Sequence, residues 1–127
     1  MVQFANSTTA VVLVVEDEPL IMLGSVQIVE DLGYIALQAT NADEAIVLLE
    51  AHPEIVIVFT DIQMAGSMDG LALSNWAANR WPPLRFIIVS GGMRPRLVDM
   101  PTDAVFLAKP FKSSAIGRAI EGFRAAS

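Results

Sequence analysis

Five short stretches of the chain are almost entirely apolar, and each is followed by a longer stretch in which apolar residues recur with helical spacing. The five stretches are residues 11–15, 34–39, 55–59, 86–89 and 104–108. Strands that alternate with helices form a parallel sheet, and strands covered on both faces lose the alternation of polar and apolar residues. The pattern therefore predicts an α/β fold built from five strand–helix units.

The segments between these strands carry signals for helix starts and helix ends. Pro19 suits a first helical turn, and Gly33 suits the position just past a helix end. Asn41 followed by Glu44 is typical of a capping box. Pro95 lies within the fourth segment, where proline disfavours a helix interior. The predicted helices cover about residues 19–32, 42–52, 69–80, 93–99 and 113–125.

The first predicted helix needs one face that packs against the sheet. Ile21, Ile28 and Leu32 fall on a common face at helical spacing, with the small residue Ser25 between them. We expect this face to be buried. Because crossovers between parallel strands are right-handed, the helices should cover both faces of the sheet.

Length and composition limit the class of protein. The 127 residues suffice for one domain, and the hydrophobic content of 54% is enough to build a core. Cysteine is absent, which excludes disulfides and thiolate metal sites, and no apolar run is long enough for a membrane helix. We expect residues 1–8 to form a flexible tail and residues 9–127 to form one cytoplasmic domain.

Charge is distributed unevenly along the chain. Residues 1–79 contain eleven acids and neither lysine nor arginine, whereas residues 80–127 contain all eight basic residues and three acids. The two parts carry −11 and +5, which together give the net charge of −6. This balance argues against a nucleic-acid-binding surface over the whole domain. The basic part is either uneven surface charge or a face that binds a partner.

Polar residues follow four of the five predicted strands at the point where each strand ends. In open parallel sheets, ligands bind at this carboxyl edge. Any one of these groups alone is an ordinary loop or helix-start residue. The groups are Glu16-Asp17-Glu18 after strand one, Thr60-Asp61 after strand three, Ser90-Gly91-Gly92 after strand four and Lys109-Pro110 after strand five.

Carboxylates that share one edge must be balanced by a cation. Two carboxylates about 5 Å apart repel by about 3 kcal/mol at an effective dielectric constant near 20. Lys109 supplies one positive charge, and oxygen ligands without nitrogen or sulfur suit Mg²⁺. A carboxylate beside Mg²⁺ and a lysine can act as a nucleophile for phosphoryl transfer, with a hydroxyl that binds a phosphoryl oxygen.

With these motifs in this order, the chain resembles the receiver domains of two-component response regulators. The resemblance covers about residues 9–126 and rests on VVEDEP, on FTDIQM followed by SMDGL, on IIVSGG and on FLAKPF. It implies a doubly wound, flavodoxin-like fold with a five-stranded parallel sheet in the order 2-1-3-4-5. It also suggests a single-domain receiver similar to chemotaxis regulators.

The resemblance assigns a phospho-acceptor and a magnesium site. Asp61 is implied to accept the phosphoryl group and to bind the metal. Asp17 is implied to bind Mg²⁺ directly, and Glu16 to act through a bound water molecule. The backbone carbonyl of Gln63 would complete the protein ligands.

The resemblance also implies a set of residues that respond to phosphorylation. Lys109 would pair with Asp61 and then with the phosphoryl group. Ser90 would be the switch hydroxyl, and Phe106 the aromatic residue that follows it inward. The peptide bond before Pro110 is expected to be cis, which proline tolerates.

The resemblance implies a signalling role rather than an enzymatic one. A histidine kinase or a histidine phosphotransfer protein would donate the phosphoryl group, and the surface formed by helix four, strand five and helix five would then control an output protein or a second copy. Passing the phosphoryl group onward is an alternative. A haloacid-dehalogenase-like phosphatase would need an Asp-x-Asp motif, but Gln63 stands at the second acid's position. Neither nucleic acid nor membrane is expected as a partner.

Overall fold

The apolar stretches form the five strands of one parallel sheet in the computed structural model of the chain, which describes residues 10–126. The spatial order β2-β1-β3-β4-β5 confirms the predicted flavodoxin-like topology. The expected tail at residues 1–8 lies outside the described residues. The strands are β1 (Val11–Val15), β2 (Ile35–Ala39), β3 (Ile55–Asp61), β4 (Arg85–Ser90) and β5 (Val105–Ala108).

In the described part of the chain, four α-helices cover the two faces of the sheet. They are α1 (Pro19–Asp31), α2 (Ala42–Ala51), α3 (Gly70–Arg80) and α4 (Ser113–Ala125), of which α4 corresponds to the fifth predicted helix. Within residues 10–126, none of the helices has the length and apolar character needed to cross a membrane.

Strand β1 lies inside the sheet and contributes to two separate hydrophobic cores. Leu13 and Val15 pack in the core that contains residues of α2 and α3. Val12 and Val14 pack in the core that contains residues of α1 and α4. All five residues of β1 are buried, which explains why this strand is apolar without alternation.

The pairing register brings the carboxyl ends of four strands to one edge. It aligns Val15 with Thr60, Asp61 with Val89, and Ser90 with Ala108. Glu16, which follows β1, therefore lies near the end of β3. The backbone N–H of Lys109 donates to the carbonyl of Ser90 at 2.9 Å, so the lysine begins beside the end of β4.

The predicted fourth helix over residues 93–99 is wrong. Between β4 and β5, the structure has only a single 3-10 turn over Leu97–Asp99. Pro95 lacks the N–H that an α-helix would need, and Arg96 has an extended backbone. The fourth strand-to-strand connection therefore has no α-helix, and it leaves the side chains of Met93 and Val98 exposed.

The predicted buried face of α1 is also wrong. Leu32 is 41% exposed and follows the helix, and Ile21 and Ile28 are only half-buried. Apolar residues occupy almost every side of the first two turns, so periodicity alone does not select one face. The residues of α1 that are buried are Met22, Ser25, Val26 and Val29.

The start of α2 uses the predicted pair of Asn41 and Glu44, but Glu44 binds the residue before the cap instead of the cap itself. The Asn41 side chain accepts a hydrogen bond from the Glu44 N–H at 2.9 Å. The Glu44 carboxylate in turn accepts from the Thr40 N–H at 2.7 Å and from the Thr40 hydroxyl at 2.8 Å. These bonds fix the position where the chain leaves β2 and enters α2.

Replacement of Asn41 by alanine should lower the free energy of unfolding by about 1 kcal/mol, because the Glu44 N–H loses its acceptor. Urea denaturation measures this loss. Asn79→Ala removes the same side chain at an exposed position of α3, and it should change the free energy by less than about 0.5 kcal/mol. Equal losses in the two variants would show that the cap contributes nothing specific.

Candidate functional site

Three carboxylates meet at the carboxyl edge of the sheet. Glu16 and Asp17 follow β1, and Asp61 is the last residue of β3. One oxygen from each carboxylate lies within 4.8 Å of the others. Glu16 and Asp61 are only 3% and 5% exposed, whereas Asp17 faces solvent. The sequence therefore placed these three acids together correctly.

Lys109 supplies the positive charge at this cluster. Its Nζ atom lies 3.3 Å from Asp61 Oδ2 and 3.4 Å from Glu16 Oε1. The Lys109–Pro110 peptide bond is cis, the geometry expected for it. Because both acids are nearly buried, this pairing is far less screened than a surface ion pair.

The remaining carboxylate oxygens differ in their hydrogen bonds. Glu16 Oε2 accepts from the Glu18 N–H at 3.2 Å, and Asp17 Oδ2 accepts from the Ala65 N–H at 3.2 Å. Asp61 Oδ1 is buried and has no hydrogen-bond partner within the described part of the chain. A buried oxygen of this kind is costly unless something else binds it.

Burial changes the acidity of two of these groups. Burial raises the pKa of Asp61; the nearby Lys109 charge opposes this rise, and the charge of Asp17 adds to it. Burial also raises the pKa of Glu16, against the hydrogen bond from the Glu18 backbone. Both acids are therefore less stable in the ionised form than exposed carboxylates are, and a further cation would favour that form.

The cluster fits a divalent cation. Its three carboxylates and one ammonium group leave two negative charges when all are ionised. The donors are oxygen atoms, the ligands that Mg²⁺ and Ca²⁺ prefer. Asp61 Oδ1, which no group in the described part of the chain hydrogen-bonds, offers one ligand atom. The site is therefore a candidate metal centre.

Ser90 lies at the end of β4, next to the acidic cluster along the sheet edge. Its side chain is fully buried. Its hydroxyl donates to Gln63 Oε1 at 2.9 Å and accepts from the Gly92 N–H at 3.0 Å. The sequence predicted a hydroxyl at this edge, but it gave no sign that the Gln63 side chain would bind it.

Phe106 lies on β5 opposite Ile88 and is not part of the acidic cluster. The ring is half-buried, and the guanidinium carbon of Arg94 lies 5.0 Å from its centre. This distance permits a cation–π interaction. Phe106 therefore connects the sheet to the irregular segment that replaces the predicted fourth helix.

Gly70 is a residue of the site that the sequence interpretation missed. It begins α3, and its N–H donates to the Ile62 carbonyl at 2.9 Å. A Cβ atom at this position would lie 1.8 Å from the carbonyl oxygen of Asp61 and 2.8 Å from Thr60 Oγ1. Only glycine fits at this position. One hint of it was present in the sequence, because Gly70 directly follows Asp69, the residue that caps α3.

Beside Asp17, the site opens into a shallow depression of about 520 Å³. A reacting group on another molecule could approach the acids from this side. The depression is lined by Asp17, Ile62, Gln63, Met64, Ala65 and Asp69.

A flavodoxin-like sheet with three acids and a lysine at its carboxyl edge defines the broad class of the protein. Comparison with known families makes the class specific, because residues 12–121 match the response regulator receiver domain. The chain belongs to this family.

Relatives with known names cover most of the chain. The chain is 33% identical over 119 residues to the sensor kinase CckA of Brucella abortus, a match that spans 91% of this chain and 12% of CckA. It is 34% identical over 116 residues to the transcriptional regulatory protein PdtaR of Mycobacterium tuberculosis, with 87% of this chain and 54% of PdtaR covered. The chain therefore corresponds to one part of each of these longer proteins.

Solved structures have the same fold. A response regulator receiver protein from Sinorhizobium medicae superimposes with a TM-score of 0.86 at 23% identity, over 95% of this chain and 98% of that one. The response regulator TrrA from Thermotoga maritima, in complex with Mg²⁺ and BeF, superimposes with a TM-score of 0.79 at 22% identity, over 91% and 99% of the two chains.

Asp61→Asn should stabilise the metal-free protein at pH 7. The folded-state pKa of Asp61 is raised, so the stability linked to its proton is fully present below the unfolded-state pKa and is lost as the pH rises through the folded value. At pH 7 the ionised carboxylate is therefore unfavourable, and the neutral amide avoids this cost.

Urea denaturation in the presence of a chelator tests this pH dependence. The advantage of Asp61→Asn should shrink as the pH is lowered from 7 toward the acid range. Glu121→Gln, which removes an exposed carboxylate of α4, should show no comparable trend. A wild-type protein that is more stable than Asp61→Asn at pH 7 would contradict the unfavourable ionisation.

Proposed function

We propose that the chain accepts a phosphoryl group on Asp61 from the phosphohistidine of a histidine kinase or of a histidine phosphotransfer protein. The observation that carries this proposal is the environment of the Asp61 carboxylate. One oxygen is 3.3 Å from the Lys109 ammonium, and the other is buried beside two further acids and has no hydrogen-bond partner among residues 10–126. The Asp61 carboxylate is therefore an oriented nucleophile, and one of its oxygens is available to a cation.

Mg²⁺ is the proposed cofactor. Asp17, Asp61 and the backbone carbonyl of Gln63 would hold the ion directly, and Glu16 would hold it through a bound water molecule. When bound, Mg²⁺ neutralises charge on the oxygens of the transferring phosphoryl group. The excess of two negative charges in the cluster supports a divalent ion over a monovalent one.

The proposed transfer forms one bond and breaks another. An Asp61 carboxylate oxygen attacks phosphorus, and the P–N bond to the donor imidazole breaks. The electron pair of that bond stays on the imidazole nitrogen, which takes up a proton, and Asp61 becomes an acyl phosphate. Lys109 then pairs with a phosphoryl oxygen, and the Ser90 hydroxyl donates to another.

Phosphorylation is proposed to change the surface on the β5 side of the sheet. Ser90 would move toward the phosphoryl group, and Phe106 would follow it inward away from Arg94. The responding surface is residues 91–104, β5 and α4, the counterpart here of the predicted helix-four, strand-five and helix-five surface. The change is a shift between two packings that differ in affinity for the phosphoryl group.

The proposed role is in signalling, in the cytoplasm, and any gain or loss of the phosphoryl group by the domain alone would be intrinsic to the receiver. Onward transfer to another histidine is the second candidate, supported by the open depression beside Asp17. A haloacid-dehalogenase-like phosphatase has less support. Its second acid would stand at position 63, where the Gln63 side chain instead binds Ser90.

Asp61→Asn should abolish labelling of the protein by a small phosphodonor with Mg²⁺, because the amide oxygen is a poor nucleophile. Acid-labile phosphate on the intact protein measures the labelling. Asp31→Asn makes the same change at the exposed end of α1, away from the acidic cluster, and it should leave labelling intact. Undiminished labelling of Asp61→Asn would exclude Asp61 as the acceptor.

The basic residues of the C-terminal part point to the output partner. Arg94, Lys112 and Arg118 are exposed, and Arg118 lies on α4. We propose that this face binds an output protein with an acidic surface, or the acidic N-terminal part of a second copy. Charge complementarity of this kind mainly steers association and selects the partner.

Arg118→Glu should weaken this association, and rising salt should weaken it in the wild type, because both reduce the electrostatic attraction. Recovery of the partner with beryllofluoride-loaded protein measures the effect. Arg80→Glu reverses a charge on α3, which packs on the opposite face of the sheet from α4, and should have little influence. Association that is insensitive to salt and to Arg118→Glu would exclude this face.

A further inference from the structure

We infer that the Gln63 side chain holds the Ser90 hydroxyl in the unphosphorylated position, so that Gln63 opposes the phosphorylated state of the domain. This inference rests on the proposed function, in which Ser90 binds a phosphoryl oxygen. It assigns to the Gln63 side chain a role that is separate from that of its backbone carbonyl. Gln63 is therefore a positioning residue that acts through Ser90.

The Ser90 hydroxyl makes two hydrogen bonds, and only one of them uses its own hydrogen. A serine hydroxyl has one hydrogen to donate. Here that hydrogen goes to Gln63 Oε1 at 2.9 Å, and the Gly92 N–H donates to the hydroxyl oxygen at 3.0 Å. The hydroxyl cannot donate to Gln63 and to a phosphoryl oxygen at once, so phosphorylation must break the bond to Gln63.

The burial of Ser90 makes this competition matter. The side chain is 0% exposed, so water does not replace the amide as an acceptor without a local opening. Leaving a buried hydroxyl hydrogen without an acceptor costs more than the hydrogen bond itself contributes. The unphosphorylated state therefore gains stability from Gln63 that the phosphorylated state loses.

Gly92 lies beside the contact between Gln63 and Ser90. A Cβ atom at position 92 would lie 3.3 Å from Gln63 Nε2 and 3.6 Å from Ser90 Oγ. The first distance is tight, so a larger residue would require the end of the Gln63 side chain to shift slightly. Glycine at this position leaves the amide group undisturbed.

The Gln63 side chain could instead shield the acyl phosphate from water, and this role would give different measurements from the proposed bond to Ser90. As a shield, the side chain would keep water from the acyl phosphate and change only its lifetime. As a partner of Ser90, it changes the equilibrium affinity for a phosphoryl group, even one that cannot be hydrolysed. Beryllofluoride, which mimics the phosphoryl group on a carboxylate, separates the two roles because it reports affinity alone.

Gln63→Met is the variant that tests the inference. Methionine keeps the length of the side chain, and its sulfur is only a weak acceptor. With Mg²⁺ present, half-saturation should need about threefold to tenfold less beryllofluoride than in the wild type. The Gly92 amide resonance, followed by NMR, measures saturation. Gln38→Met is the same change at an exposed position of β2, and it should leave the half-saturating beryllofluoride concentration unchanged.

A second background isolates the contribution of Ser90. In Ser90→Ala protein there is no hydroxyl to hold, so Gln63→Met should no longer change the affinity for beryllofluoride. In free Gln63→Met protein with Ser90 intact, the Gly92 resonance should also move toward its position in the beryllofluoride complex. If Gln63→Met changed the beryllofluoride affinity equally in the wild-type and Ser90→Ala backgrounds, the inference would be wrong.

The outcomes separate this inference from the proposed function. Wild-type protein that binds beryllofluoride, together with an Asp61→Asn variant that does not, supports the acceptor role of Asp61. If Gln63→Met then binds beryllofluoride no more tightly than the wild type, the inference is wrong while the proposed function stands. Failure of the wild type to bind beryllofluoride would overturn both.

Discussion

The electrostatic balance between Asp61, Glu16 and Lys109 is the interaction on which the site depends. Two nearly buried carboxylates share one ammonium group at 3.3 Å and 3.4 Å, and a third acid lies close by. One lysine cannot neutralise three acids, so the arrangement favours a divalent cation, which would also offset the negative charge of an approaching phosphoryl group. The sheet register and the close approach of Gly70 to β3 hold these groups together against their mutual repulsion.

The carboxyl edge of the sheet also links the acidic cluster to the protein surface near β5, through the neighbouring strands β4 and β5. Ser90 ends β4 and is held by Gln63, while Phe106 lies on the adjacent β5 under the guanidinium group of Arg94. Both contacts belong to the unphosphorylated packing, and both must change if the hydroxyl and the ring move inward. Because residues 91–104 lack an α-helix, the segment that would respond is held by few regular hydrogen bonds, so rearranging it should cost little.

The sequence predicted much of this architecture because strand burial and strand order are strong constraints. Nearly continuous apolar runs located the five strands. Parallel topology required the carboxyl ends of these strands to meet, which brought Asp61 and Lys109 together. The fourth helix was predicted wrongly, because the alternation of strands and helices favoured a helix in a segment where Pro95 opposes one. The buried face of α1 failed because apolar residues surround its first turns. The bond between Gln63 and Ser90 depends on a side-chain rotamer beside Gly92, which no linear pattern records.

A crystal structure with Mg²⁺ and beryllofluoride would locate the reacting carboxylate, the ion and the switch hydroxyl in one experiment. We expect beryllium on an Asp61 oxygen, with the ion bound by Asp17, Asp61 and the Gln63 carbonyl. We also expect that Ser90 has left Gln63 for a fluorine atom. Beryllofluoride on another carboxylate, or an ion held away from the three acids, would contradict the proposed acceptor and metal site.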